Sequence, residues 1–207
     1  MLDLGRTFLQ SVERSPTALA IVDGDVRLTY AQWFDKVRHV AGGLRAIGLA
    51  RDDHLLIVLQ NRWEMATLHW ACQFLGVVVT PLNGRAKPDE VDYCAADAGA
   101  KAIVFEAVSA EAVAGSAFAQ QMARIQVGEA QAREAAQAPR GAHAPQGPQT
   151  AQPPHPADPP LAVPPGDITS FDDLLNAPPL DRDAPPLAPG PEDISLLLYT
   201  SGTTGEP

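Results

Sequence analysis

Residues 54–82 read HLLIVLQNRWEMATLHWACQFLGVVVTPL, and the fold turns on how they are understood. The run from His54 to Gln60 is short, continuous, apolar and rich in branched side chains, as expected of a strand buried on both faces of a sheet. Asn61 then stands where a helix cap belongs, with Glu64 at the position that completes a capping box. Trp63, Thr67, Trp70, Ala71 and Phe74 share one helical face, and Gly76 closes the helix. VVVTPL, residues 77–82, is a second buried strand. Strand, helix and strand in immediate succession predict a parallel sheet covered by helices.

The rhythm continues in both directions. Upstream, Thr29 and Gln32 form a capping box, with Leu28 and Trp33 placed as a hydrophobic staple. Trp33, Val37, Val40, Ala41, Leu44 and Ile47 then recur at offsets of three and four until Gly48 ends the helix. Lys36, Arg38 and Arg45 fall away from that stripe and read as a solvated face. Downstream, Pro88 suits the first turn of a further helix whose apolar positions are Val91, Tyr93, Cys94 and Ala98. Gly99 precedes the strand KAIVFE, an amphipathic Ala-rich segment spans Ser109 to Met122, and ARIQV is a brief strand. Residues 1–127 therefore read as an α/β subdomain: a parallel sheet with flanking helices.

Composition then shifts. Sixteen of the 20 prolines lie between Pro139 and Pro191, interleaved with Ala, Gln and Gly. Such a stretch has too few large apolar side chains to offset the ~1–2 kcal/mol per residue of backbone entropy lost on ordering. Residues 128–191 are expected to form a disordered, partly polyproline-like linker, passive rather than a docking motif, with one short helix at 170–177 capped by Ser170.

The balance of charge and residue types excludes several classes. A formal net charge of −10 with 15 Lys and Arg, and no basic stripe, argues against a nucleic-acid partner. Cys72 and Cys94 lie apart in apolar stretches without CxxC spacing and read as reduced, buried thiols rather than a disulfide or zinc site. The N-terminus lacks signal-peptide character and no apolar run approaches the ~18 residues of a membrane span, so a cytoplasmic protein is expected. His39, His54 and His69 show no metal-ligand spacing, and Trp33, Trp63 and Trp70 sit on apolar helical faces as core residues. No metal ligand and no oligomeric state can be assigned.

Chemistry concentrates at the other end, in DISLLLYTSGTTGEP, residues 193–207. An apolar run predicted as a buried strand leads directly into a turn of hydroxyl-bearing residues and glycines. Glycines allow successive N–H groups to converge on an anion, and hydroxyls add donors for phosphate oxygens. A loop leaving the carboxyl end of a parallel strand is also where open α/β sheets bind ligands. The common G-x-x-x-x-G-K-[ST] loop is absent, because Gly202 and Gly205 are too close and no lysine follows. By residue chemistry alone, a phosphate loop and an ordinary polar hairpin both remain open.

YTSGTTGEP resembles the phosphate-binding signature of the adenylate-forming enzymes, the superfamily of acyl-CoA synthetases, luciferases and peptide synthetase adenylation domains. Three further segments resemble that family in order and spacing: RLTYAQWFDKVRHVAGGLRAIGLARDDHLLIVLQN, EMATLHWACQFLGVVVTPLNGRAKPDEVDYC and AGAKAIVFE. The resemblance covers residues 1 to about 106 and 168 to 207. It implies the N-terminal part of an AMP-forming carboxylic acid–CoA ligase that uses ATP, Mg²⁺ and coenzyme A on a small-molecule carboxylic acid. Thr200, Ser201, Gly202, Thr203, Thr204 and Gly205 would hold the ATP phosphates, and no catalytic residue is implied within these 207 positions. The family's acyl and adenine pockets would lie downstream, so these residues alone are expected to be inactive.

Two departures accompany the resemblance. The Pro-rich stretch stands where relatives place ordered α/β structure, as an insertion or the product of a shifted reading frame. Gly84, between Asn83 and Arg85, replaces something bulkier and is expected to lower local rigidity. A non-catalytic α/β binding module and a peptide synthetase adenylation domain are the alternative readings.

Overall fold

The structure is a computed structural model that describes residues 4–128, 168–181 and 193–200. In chain order its elements are α1 (Leu4–Arg14), a hairpin of β1 (Leu19–Asp23) and β2 (Val26–Thr29), α2 (Tyr30–Ala46), β3 (His54–Leu59), α3 (Trp63–Leu75), β4 (Val78–Asn83), α4 (Pro88–Ala98), β5 (Ala100–Glu106), α5 (Ala110–Gly115), β6 (Ala123–Val127), β7 (Ile168–Ser170) and α6 (Phe171–Leu175). The five-stranded sheet has the order β4-β3-β5-β6-β7 and is parallel throughout.

β3 is central because both its faces are buried. Leu55, Ile57 and Leu59 join one core with residues of α1, α2, α3 and α6, while Leu56 and Val58 join a second core with residues of α4 and α5. The chain passes from β3 to β4 on one side, then crosses back over β3 to β5, so β3 and β5 flank the topological switch point.

The capping box of α2 forms as predicted: Gln32 N–H donates to Thr29 Oγ1 at 3.3 Å and Thr29 N–H donates to Gln32 Oε1 at 2.9 Å. The cap of α3 differs from expectation. Arg62, not Asn61, occupies the cap position without a side-chain cap bond, and Trp63 N–H donates instead to Asp23 Oδ2 of the hairpin at 2.9 Å. A carboxylate at a helix N-terminus is a stronger, charge-assisted acceptor than a local amide, and Glu64 is occupied elsewhere. The Ala-rich segment 109–122 also breaks, into α5 and short 3₁₀ turns.

α1 and the hairpin are additional to the elements read from the sequence, although Gly24-Asp25 between LAIVD and VRLT is a two-residue turn signal with Gly24 at φ +53°. Phe8 of α1 enters an aromatic group, stacked on Trp70 at 4.7 Å and edge-on to Trp33 at 5.0 Å. Trp33 Nε1–H donates to Thr67 Oγ1 at 3.0 Å, so this tryptophan is core with its polar atom satisfied. Tyr93, expected on the apolar face of α4, is 38% exposed.

Residues 168–181 lie on the α/β body. β7 pairs with β6, Phe171 and Leu174 are buried, and Ser170 caps α6 by accepting from Asp172 N–H at 3.0 Å. The seat on α2 corrects the reading of Arg38 and Lys36 as solvated. Arg38 Nε donates to Leu180 O at 2.9 Å, Leu180 N–H returns to Arg38 O at 3.1 Å, and His39 Nδ1 donates to Ala177 O at 2.7 Å. Lys36 Nζ lies 5.5 Å from the Trp63 ring centroid. The apolar stripe marks only the side of α2 that faces the sheet, and a helix can be covered on a second side. The linker expected at 128–191 otherwise falls outside the described residues.

Gly42 and Gly43 permit this contact. A Cβ on Gly42 would sit 1.9 Å from Pro178 O, and one on Gly43 would sit 2.8 Å from Leu174 Cδ2. Alanine in mid-helix ordinarily stabilises by about 1 kcal/mol over glycine. Here Gly42→Ala is expected to destabilise by about 2 kcal/mol, the scale of overpacking, as a lower urea midpoint. A raised midpoint would show that α2 does not depend on this close approach.

Candidate functional site

The chain enters the candidate phosphate loop along the outer side of β4. Val79 N–H donates to Ser195 O at 3.3 Å and Leu197 N–H donates to Val79 O at 2.9 Å, a single parallel bridge in which Leu196 pairs with Val79. The direction is parallel to β4, so the chain reaches Thr200 toward the carboxyl end of the sheet. Thr200 is exposed. Ser201, Gly202, Thr203, Thr204 and Gly205 lie outside the described residues.

The expected buried strand is not what the structure shows here. Ile194, Leu196 and Leu198 are 57%, 39% and 62% exposed, and alternate residues 195, 197 and 199 are half-buried. A continuous apolar run predicts burial on two faces, but this segment meets the sheet on one edge only. Its outer row borders a cavity of about 380 Å³ lined by Asn61, Arg62, Met65, His69, Pro81 and Leu196 among others. His69 is held below the ordinary imidazole value by burial.

The turn after β4 is well packed. Asn83 Oδ1 accepts from Arg85 N–H at 3.0 Å, and both side chains are exposed. Gly84 is buried, and a Cβ there would come within 3.1 Å of Leu59 and Gln60 backbone. Glycine thus lets the turn lie against the end of β3, where a looser turn was anticipated.

The switch point itself is occupied by the protein's own ions. Glu106, at the end of β5, accepts from Gln60 N–H at 2.5 Å and from Arg62 Nη1 at 2.9 Å. Arg62 also grips Glu64 with two bonds of 2.7 Å. Glu64 first, and Glu106 with it, outweigh desolvation and raise the guanidinium above its usual range. Both carboxylates are buried, at 6% and 7% exposure. Ser109 Oγ completes the closure by donating to Val58 O at 2.7 Å. Two carboxylates facing one guanidinium leave an excess of negative charge, which disfavours phosphate at this crevice.

The residues set aside in the sequence are structural. Cys72 and Cys94 are buried free thiols, with burial pushing Cys94 up to about 11 and Cys72 further still. His54 Nδ1 lies 3.4 Å from Thr80 Oγ1 and is lowered by burial, with Asp53 opposing. Among the described residues there is no cluster of His, Cys, Asp or Glu fit to hold a metal, and no helix long and apolar enough to cross a membrane.

The family model described as AMP-binding enzyme matches residues 8–207. The chain belongs to this family. Feruloyl-CoA synthase of an Amycolatopsis species is 29% identical over 204 residues, 99% of this chain and 32% of the relative. A long-chain-fatty-acid–CoA ligase, FadD13 of Mycobacterium tuberculosis, is 27% identical over 216 residues, 100% of this chain and 34% of the relative. The chain thus spans about a third of the length of the curated relatives it matches. Among solved structures, the inhibitor-bound N-terminal domain of FACL13 from Mycobacterium tuberculosis superposes with a TM-score of 0.67 at 27% identity, over 99% of this chain and 42% of that one. The α/β parallel-sheet expectation and the family resemblance are both met.

Burial of His69 and His54 has a consequence for stability. Their folded values lie below the ordinary value of about 6.5, so the unfolded chain takes up protons first as pH falls. Stability from urea titrations is expected to decline as pH drops below about 6.5, and His69→Gln to flatten that decline. An unchanged pH slope in His69→Gln would contradict the burial of this ring.

Proposed function

We propose that this chain is the N-terminal part of an AMP-forming carboxylic acid–CoA ligase. The observation that carries the reading is the family match running through the hydroxyl-and-glycine loop, on a chain that leaves the sheet at its carboxyl end. Relatives named as feruloyl-CoA synthase and long-chain-fatty-acid–CoA ligase support a CoA ligase.

In this reading the substrate carboxylate oxygen attacks the α-phosphorus of ATP, the bond to the β-phosphate bridging oxygen breaks, and pyrophosphate departs. The coenzyme A thiol, losing its proton, then attacks the acyl carbon and AMP leaves. Thr200, Ser201, Gly202, Thr203, Thr204 and Gly205 bind the phosphates: backbone N–H groups and hydroxyls fixed beforehand meet the charge that grows on the transferring oxygens. The exposed Thr200 hydroxyl at the sheet's carboxyl end fits this role. Magnesium, when bound, neutralises phosphate charge, and no described residue is assigned as its ligand.

The protein expressed from its complete reading frame, given ATP, Mg²⁺, coenzyme A and a panel spanning ferulate-like aromatic acids and long-chain fatty acids, is expected to release pyrophosphate with at least one of them. Thr203→Val with Thr204→Val keeps shape and removes two hydroxyl donors. It is expected to lower kcat/KM at least about 100-fold, as loss of fixed donors to a developing anion does. Pyrophosphate release with no acid, or full turnover in the double variant, would sink the reading.

A further inference from the structure

Among the described residues, the segment that carries the chain to Thr200 has little backbone pairing to hold it. Beyond the one bridge to β4, Arg51 pairs with Asp193 and Gln73 Nε2 donates to Ser195 O at 3.3 Å, both near its start. At its far end, immediately before Thr200, the chain is held by a side chain. Tyr199 packs against the core under α4, meets the Tyr93 ring edge-on at 6.2 Å and 81°, and donates its hydroxyl to Asp97 Oδ2 at 2.6 Å.

We propose that the Tyr199–Asp97 hydrogen bond is a positioning contact that fixes where the phosphate loop leaves the sheet, and hence how tightly ATP is held. The inference rests on the adenylation reading for its ligand, but its geometry does not. A bond of 2.6 Å to a carboxylate is charge-assisted and short. Burial, and then the bond to Asp97, keep the phenol well above its ordinary value. α4 is capped at both ends: Lys87 N–H donates to Glu90 Oε2 at 2.7 Å, and Gly99 N–H closes the C-terminus on Ala95 and Ala96 carbonyls. Asp97 therefore stands on a rigid element, while Tyr199 belongs to a segment with one ladder bridge. The fixed partner sets the position of the loosely paired one. Tyr199 touches no reacting atom in this scheme and acts through Thr200.

The test uses the protein from its complete reading frame, assayed for pyrophosphate release. Tyr199→Phe and Asp97→Ala are each expected to raise the KM for ATP about five-fold, the size of one hydrogen bond, with kcat within about two-fold of wild type. Asp97→Asn keeps an acceptor oxygen without the charge and is expected to restore part of the wild-type KM, leaving it between wild type and Asp97→Ala. The double variant Tyr199→Phe with Asp97→Ala should be no worse than either single one, since both remove the same bond. Equilibrium binding of a fluorescent non-hydrolysable ATP analogue, measured in the same variants, is expected to weaken in the same pattern. Unchanged ATP KM and analogue affinity in Tyr199→Phe would overturn the inference. So would an Asp97→Asn protein as impaired as Asp97→Ala, since an acceptor oxygen at that position would then contribute nothing. If the wild type makes no adenylate with any acid, the ligase reading fails, and the analogue-binding pattern alone decides whether Tyr199 positions the loop.

Discussion

A strand with no polar face cannot be left at an edge, and β3 is such a strand. Its backbone N–H and C=O groups are as buried as Leu55, Leu56, Ile57 and Val58, each about 1% exposed or less, and buried backbone groups must be paired. Pairing on both edges brings β4 to one side and β5 to the other. Both are parallel, so each return needs a crossover, and two apolar faces need two helical layers. The requirement of one hexapeptide thus accounts for the strand order, the switch point and the division into two cores. Full burial of those four side chains contributes about 1.5–3 kcal/mol each, so the constraint is also a large part of the stability.

Whatever depended on near neighbours was legible in the sequence. The apolar run of β3, the Thr29–Gln32 box, and the glycines at 76 and 99 that end α3 and α4 at positive φ all act over a turn or less of chain. What was missed involved partners distant in sequence. Asp23 caps α3 across 40 residues, and the carbonyl of Leu180 occupies Arg38 across 142. No local pattern reports such pairings. The Gly42-Gly43 pair did carry a signal, because two glycines within a helix that needs neither for bending mark a close approach of another backbone.

The candidate site divides in the same way. Its residue types were readable, since glycine and hydroxyl chemistry at a strand end has a physical purpose. Its surroundings were not. The run ISLLL has the composition of a strand covered on both faces, yet only alternate residues are half-buried, because coverage belongs to the neighbours and not to the segment. Gly84 shows the converse: read alone it promised looseness, whereas beside Leu59 and Gln60 it is what allows contact.

Electrostatics separate two places where a ligand of this sheet might sit. At the switch point between β3 and β5, Gln60 N–H, a natural donor to an anion, is already taken by Glu106, and Arg62 is shared between two carboxylates. That end of the sheet is closed by an internal salt network, whose value lies in locking the β3 and β5 ends together with Ser109. The edge beside β4 is different, because the chain runs along it to an exposed Thr200. Side-chain anchoring from a capped helix fixes the end of this sparsely paired segment, because Tyr199 donates to Asp97 of α4 immediately before Thr200.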